Sequence, residues 1–234
     1  MCETTSSSRP RAMISRAALA SAASAAVDAG GRVADLRRDA WGHGVLAVAH
    51  AVTAAGASAV LVDSFVEAET LALEGIEATV DGTADIDPLL LYGLPDSDGA
   101  LRTRPVMRLA GRILSTKRLR AGDAVSYGYT HRVATDTTAA LITGGYAQGI
   151  VRALGNSAEV EVDGVGAPII GRVAMDVCVI DLGDLDAPVD SEATYFGGTG
   201  PAATALGRWS AVTGLTVAEL ITVAGTHADR GWES

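Results

Sequence analysis

The stretch "LRRDAWGHG", Leu36–Gly44, crowds two arginines, an aspartate and a histidine into one short segment. An apolar run, "GRVADL", leads into it, and a glycine turn with a helix-like "VLAVAHAVTAAGA" follows. In α/β proteins, the turn after a strand is where ligands and catalytic groups gather. The residue types limit what this turn can do. A guanidinium stays protonated at any ordinary pH, with a pKa above roughly 12, so Arg37 can neither take a proton nor form an imine, and the "LRR" run reads as a solvated face or strand end. His43 in "GHG" reads either as a turn and helix-start residue or as a catalyst. Lys117 is the only lysine in the sequence. His43, His50, His131 and His227 are scattered, with none at zinc-ligand spacing. Cys2 and Cys178 are too few for a disulfide framework, and Cys178 lies in an apolar run as a small core residue. No metal is expected. "FGGTG", 196–200, lacks the lysine and hydroxyl of a phosphate loop and reads as a plain loop.

The elements that must position these groups change character along the chain. Residues 1–12 read as a disordered tail, and an alanine-rich helix follows over about 15–29, ended by Gly30-Gly31. A strand at 31–37, a helix at 44–55, a strand at 58–63 and a helix at 65–75 alternate as parallel βαβ units do. The acids of "DSFVEAETLALEG" fall at helical spacing on an exposed face. "LLLYGL" reads as a buried strand among Asp, Pro and Gly turn signals. After Pro105 come short alternating runs between Gly, Asn and Asp turns, the pattern of antiparallel strands in a barrel or sandwich. "GPAATALGRWSAVTG" and "TVAELITVAG" read as closing helices. The expected plan is α+β: a small α/β part over 13–104 and a β-rich part over 105–234.

With 48% apolar and 20% charged residues, the composition is that of a globular chain. A net charge of −10 argues against a nucleic-acid partner, which requires a basic face. No apolar run approaches the roughly 20 residues needed to cross a bilayer, and the N-terminal alanines are too broken by serine and arginine to form a signal core. A cytoplasmic location without membrane contact follows as the expectation.

Five segments, in order, carry a resemblance: "RDAWGHG" (38–44), "LLYGL" (90–94), "LRAGDAVSYG" (119–128), "GGYAQGIVRALGN" (144–156) and "APIIGRVAMDVCVIDL" (167–182). Together they resemble the pyridoxal-phosphate-dependent alanine racemases, amino-acid isomerases with a β/α barrel followed by a β-rich domain. A closed barrel of this kind usually takes about 250 residues, yet only residues 1–104 precede Pro105. The resemblance therefore implies a partial barrel, with exposed sheet edges that a second chain would have to cover.

The same resemblance assigns roles by position. The family's K-x-x-A-Y-G-H-G pattern places its cofactor lysine at Arg37, and Trp41 stands where a phosphate-binding tyrosine is expected. Trp232, in "THADRGW", falls at a second such tyrosine. Ile86 and Pro88 occupy the places of a pyridine-contacting arginine and a phosphate-contacting glycine, and proline has no N–H to give. Tyr146 matches the opposite-face base, with a barrel-end plug as its bland alternative. Met175 and Asp176 match residues that shape the substrate carboxylate pocket across the subunit boundary, although Met175 also reads as core. His131, Arg152 and Arg172 fall inside matched segments. The implied function is that of a racemase-like chain unable to form the usual imine, with no cofactor bound. Its retained use would be association, as a homodimer or as a heterodimer with a complete racemase. The alternative is an active, pyridoxal-phosphate-dependent alanine racemase converting L-alanine to D-alanine, alone or completed by a whole subunit.

Overall fold

The first helix shows how this sequence builds its α/β part. In α1 (Arg16–Asp28), Ala18, Leu19, Ala22, Ala23, Ala26 and Val27 recur at three- and four-residue spacing and are all buried. The Ser15 hydroxyl accepts from the Ala18 N–H at 3.2 Å, a cap that stabilises by about 1 kcal/mol. Small alanines on the inner face let the helix lie close to its neighbours.

The computed structural model describes residues 9–234, so Cys2 and most of the expected tail lie outside the described residues. Three parallel strands follow the expected alternation: β2 (Val33–Asp35), β3 (Ala59–Leu61) and β4 (Ala78–Thr79), paired in the order β2-β3-β4. Between them run the short turn α2 (Arg37–Trp41), α3 (Val45–Ala54) and α4 (Phe65–Leu73). Three strands in line cannot close, so this part is an open parallel sheet. A capping box of Ser64 and Glu67 starts α4. Only Leu71 of that helix is buried, while Phe65, Val66 and Leu73 are exposed. The expected acidic face is therefore also an apolar one.

The second part centres on β5 (Met107–Leu119), long enough to serve two sets of partners. Its first half pairs with β1 (Arg11–Ser15) and β12 (Glu192–Phe196), and its second half with β8 (Thr137–Thr143). Beyond these lie the hairpin β6 (Ala124–Val125) and β7 (His131–Arg132), the hairpin β9 (Glu159–Val162) and β10 (Val165–Pro168), and β11 (Val177–Gly183) on β8. Helices α6 (Ala205–Thr213) and α7 (Val217–His227) close the chain before β13 (Asp229–Glu233), which lies parallel to β1. One hydrophobic core joins both parts, from Ile14 and Leu36 to Tyr195, Phe196 and Trp209. Cys178 sits in it as expected, its thiol pushed up to about 12 by burial.

Three expectations are corrected. "LLLYGL" is a helix, α5 (Pro88–Tyr92): Asp87 caps it through the Leu89 N–H at 2.9 Å, Pro88 takes the first turn, and Gly93 ends it at φ +63°. Residues 11 and 12, placed in the tail, are strand; Ala12 and Ile14 are buried between β5 and β13. Strand β1 therefore belongs to the sheet of the second part, and among the described residues the boundary between parts is crossed twice. Strands β12 and β13 had no place in the expected plan.

Candidate functional site

The site grows from the C-terminal end of β2. Leu36 is buried and anchors the turn, so Arg37 emerges at its surface. There the Arg37 guanidinium folds back on Asp35, with Nε donating to Oδ1 at 2.8 Å and Nη2 to Oδ2. This two-point pair holds Asp35 below the usual carboxylate range and raises the arginine further above its own. The fork is filled, and the cation is more firmly protonated than usual.

The next four residues adopt a conformation that the sequence did not reveal. Arg38, Asp39, Ala40 and Trp41 all have φ between +52° and +58°, a left-handed turn made without glycine. Each such residue costs roughly 1–2 kcal/mol, so the surroundings must impose the turn. Two carboxylates do so. Asp63, just after β3, accepts the Arg38 N–H. Asp39 accepts the Val45 N–H at 2.8 Å, starting α3, and also pairs with Arg230. Gly42 is pressed against Gly225 of α7, where a Cβ would come within 2.8 Å of Cα. Arg38→Gly keeps the backbone bond to Asp63 and removes one strained Cβ. It is expected to raise stability by about 0.5–1 kcal/mol, read as a higher urea midpoint at unchanged slope.

Behind the turn, His43 is fully buried, stacked on Tyr92 with ring centroids 4.2 Å apart. Its Nδ1 donates to the Ala40 carbonyl at 2.9 Å, while Nε2 has no partner among the described residues. Burial lowers its pKa to about 4. His43 is a buried turn residue. Trp41 also packs on Tyr92, with ring centroids 5.4 Å apart, and lines a cavity.

That cavity, of about 810 Å³, lies between the β2 end and α7. Arg37, Trp41 and Tyr146 all line it. Tyr146 is carried on a tight turn whose backbone bonds to Ala174 at 2.9 Å and whose Gly145 leaves no room for a Cβ against Met175. The Arg152 guanidinium lies over the Tyr146 ring at 4.5 Å. Met175 and Asp176 stand exposed beside this turn and do not wall the cavity; Asp176 accepts from Gln148 at 2.8 Å. Trp232 lies elsewhere, under Arg16 at 4.6 Å, and lines a second cavity of about 530 Å³ with Asp39 and His50. The two tryptophans thus flank the 37–44 segment from different cavities.

Ile86 and Pro88 are not at this end of the strand at all. The Ile86 N–H bonds to the Val33 carbonyl at the start of β2, its side chain is buried against Gly31, and Pro88 opens α5. The match that assigned them spans a gap in the family pattern, so motif order left their register open. Residues missed as site formers are Asp35, Arg38 and Asp63, together with the α7 wall of Leu220 and Val223. Only the acids at strand ends hinted at the first group.

Pyridoxal phosphate does not fit this arrangement. Lys117 is on β5 opposite Ala139 and does not line the cavity. Arg37 is closed on Asp35, and Trp41 supplies no phenol. Among the described residues no three His, Cys, Asp or Glu side chains converge on a metal position, and no helix is long and apolar enough to cross a membrane.

Comparison with known proteins bears on the family and the fold. A family profile for "Alanine racemase, C-terminal domain" matches residues 106–232. An alanine racemase from Mycolicibacterium vanbaalenii is 44% identical over 101 residues, covering 42% of this chain and 26% of that protein. One from Salinispora arenicola is 36% identical over 147 residues, 62% of this chain and 40% of that one. The chain matches well under half the length of these relatives. Among solved structures, alanine racemase from the D-cycloserine producer Streptomyces lavendulae superposes with a TM-score of 0.82 at 20% identity, over 97% of each chain. That from E. faecalis gives 0.81 at 17% identity, over 96% of this chain and 98% of that one. At such identity these two speak for the fold alone.

Proposed function

The chain belongs to the alanine racemase family through its C-terminal domain, and from that premise we propose that it is a racemase-like protein that does not racemise alanine by the usual imine and is retained for association. The observation that carries this reading is Arg37, a guanidinium closed on Asp35 at the position where the resemblance calls for a primary amine. Racemisation needs a group that anchors the cofactor aldehyde and then shuttles the α-proton. An arginine does neither.

Association is supported by what the shortened barrel leaves uncovered. Among the described residues the parallel sheet has three strands, and Phe65, Val66 and Leu73 are exposed on α4. A partner, a second copy or a complete racemase subunit, would bury both. The second reading, an active racemase completed by a whole subunit, draws on Tyr146, whose ring does border the cavity at the β2 end.

Three measurements test these readings. Purified chain incubated with pyridoxal phosphate is expected to show no imine absorbance, and borohydride reduction to leave no tagged peptide. Arg37→Lys is expected to give no robust D-alanine formation, because Trp41 still faces the cavity without a phenol. Robust turnover by that single variant defeats the proposal. Size exclusion at several concentrations, with and without an intact racemase, reads the association, and a monomer under every condition defeats that half.

A further inference from the structure

We propose that the cavity between the β2 end and α7 is a reversible site for an organic monocarboxylate with an aromatic or branched apolar body, its carboxylate held by Arg152. This rests on the reading above that no covalent cofactor occupies the same space.

The size fits first. Small-molecule sites usually measure about 300–1,000 Å³ and are mostly apolar with a few convergent polar groups. This one measures about 810 Å³, with Trp41, Val151, Leu215, Leu220 and Val223 among its walls. Tyr146 and Val223 remain substantially exposed at its rim, so apolar surface is open to a ligand.

Charge then selects the head group. Four of the charged side chains around the cavity are already engaged in pairs: Arg37 with Asp35, and Arg38 with Asp63 at 3.8 Å. Glu219 is held by the Thr216 N–H and hydroxyl at the start of α7. Arg152 differs. Among the described residues it has no carboxylate within ion-pair distance, and only the Tyr146 ring supports it. Stacking on a ring steadies a guanidinium while leaving its edge N–H groups free, the geometry that takes a carboxylate in two-point contact. Glu219, held by neutral groups on the α7 wall, opposes a second negative charge. A monoanion is therefore favoured over a phosphate dianion. The rings of Tyr146 and Trp41 offer faces for an aromatic body.

Calorimetric titration of the full chain with 4-phenylbutyrate, without pyridoxal phosphate, tests the site. One saturable event is expected, with 4-phenylbutanamide and butyrate each binding at least about tenfold more weakly, since one loses the charge and the other the apolar body. Arg152→Gln should weaken phenylbutyrate about tenfold or more and leave the amide unchanged. Val223→Asp, which places a negative charge in the wall from an exposed position, should weaken the acid more than the amide; it serves if the arginine variant does not fold. No saturable heat with phenylbutyrate, or equal affinities for acid and amide, overturns the proposal. An imine with pyridoxal phosphate would instead overturn the preceding reading, so the two failures are read by different signals.

Discussion

Gly93→Ala lowers the stability of this chain by about 3 kcal/mol or more, seen as a collapse of the urea midpoint. Two effects add. Gly93 ends α5 at φ +63°, where any Cβ costs roughly 1 kcal/mol. That Cβ would also lie 2.0 Å from the Arg104 carbonyl oxygen and 2.8 Å from Pro105 Cα. Both are backbone atoms that cannot swing aside, so helix end and strand entry must move apart, and overpacking of this kind costs about 1–3 kcal/mol. The damage falls on a seam, because the neighbouring Tyr92 carbonyl accepts the Val106 N–H at 3.1 Å where β5 begins. Gly75→Ala is the control: φ is +76° but nothing lies within 4 Å of the added methyl. It should cost only the conformational share, about 1 kcal/mol. Equal losses for the two variants would show that close approach plays no part at Gly93.

The same residue explains why one element was misread. "LLLYGL" is too short and too uniformly apolar for its period to distinguish strand from helix. The decision was local: Asp87 as cap, Pro88 in the first turn and Gly93 as stop all spell helix, but they were read as turn residues around a strand. Where period and punctuation agreed, as in α1 and the β2–α3–β3 alternation, the sequence reading matched the structure. Strand β13 escaped because "DRGWE" has no alternation of its own; it exists because β1 offers a parallel edge, with Met13 opposite Gly231. Such a strand is a property of the sheet more than of its residues.

Legibility of the site divides along similar lines. Arg37 and Trp41 could be placed because they sit within an unbroken motif, and both do face the cavity at the end of β2. Ile86 and Pro88 could not, because a gap separates them from the motif that was meant to fix their register. The left-handed turn was invisible for a different reason. Arg38 to Trp41 contain none of the glycine that usually marks such backbone, and the forces holding it come from Asp63, Arg230 and Gly225, distant in sequence. Tertiary contacts overrode local preference there, which is common where a fold carries a site.

His43 makes the fold sensitive to mild acid, and the sign can be worked through. Burial lowers its pKa from 6.5 to about 4 in the folded chain, since the charged ring is desolvated and Nε2 has no partner among the described residues. Unfolded, the ring titrates near 6.5. Above that pH both states hold it neutral and it contributes no pH dependence. As pH falls from 6.5 towards 4 the unfolded chain takes up a proton that the folded chain refuses, so stability is lost throughout that window. The full difference corresponds to about 3 kcal/mol, a large share of the roughly 5–15 kcal/mol typical of a domain. Chemical denaturation at pH 7.5, 6, 5 and 4 is expected to show this fall in the unmodified chain. His43→Phe keeps the ring stack on Tyr92 and removes both the titration and the unpaired nitrogen, at the loss of the Nδ1 bond to Ala40. Its stability should be nearly level from pH 7.5 to 5. Asp35 and Glu219, whose folded pKa values are lowered, lose their contributions only at still more acidic pH and add to the fall equally in both proteins. Parallel curves for the two chains between pH 6.5 and 5 would mean that His43 gains a proton without cost, through water reaching Nε2 or an opening of the 37–44 turn. Because that turn also carries Arg37 and Trp41, the opening would then be visible as a pH-dependent change in the cavity itself.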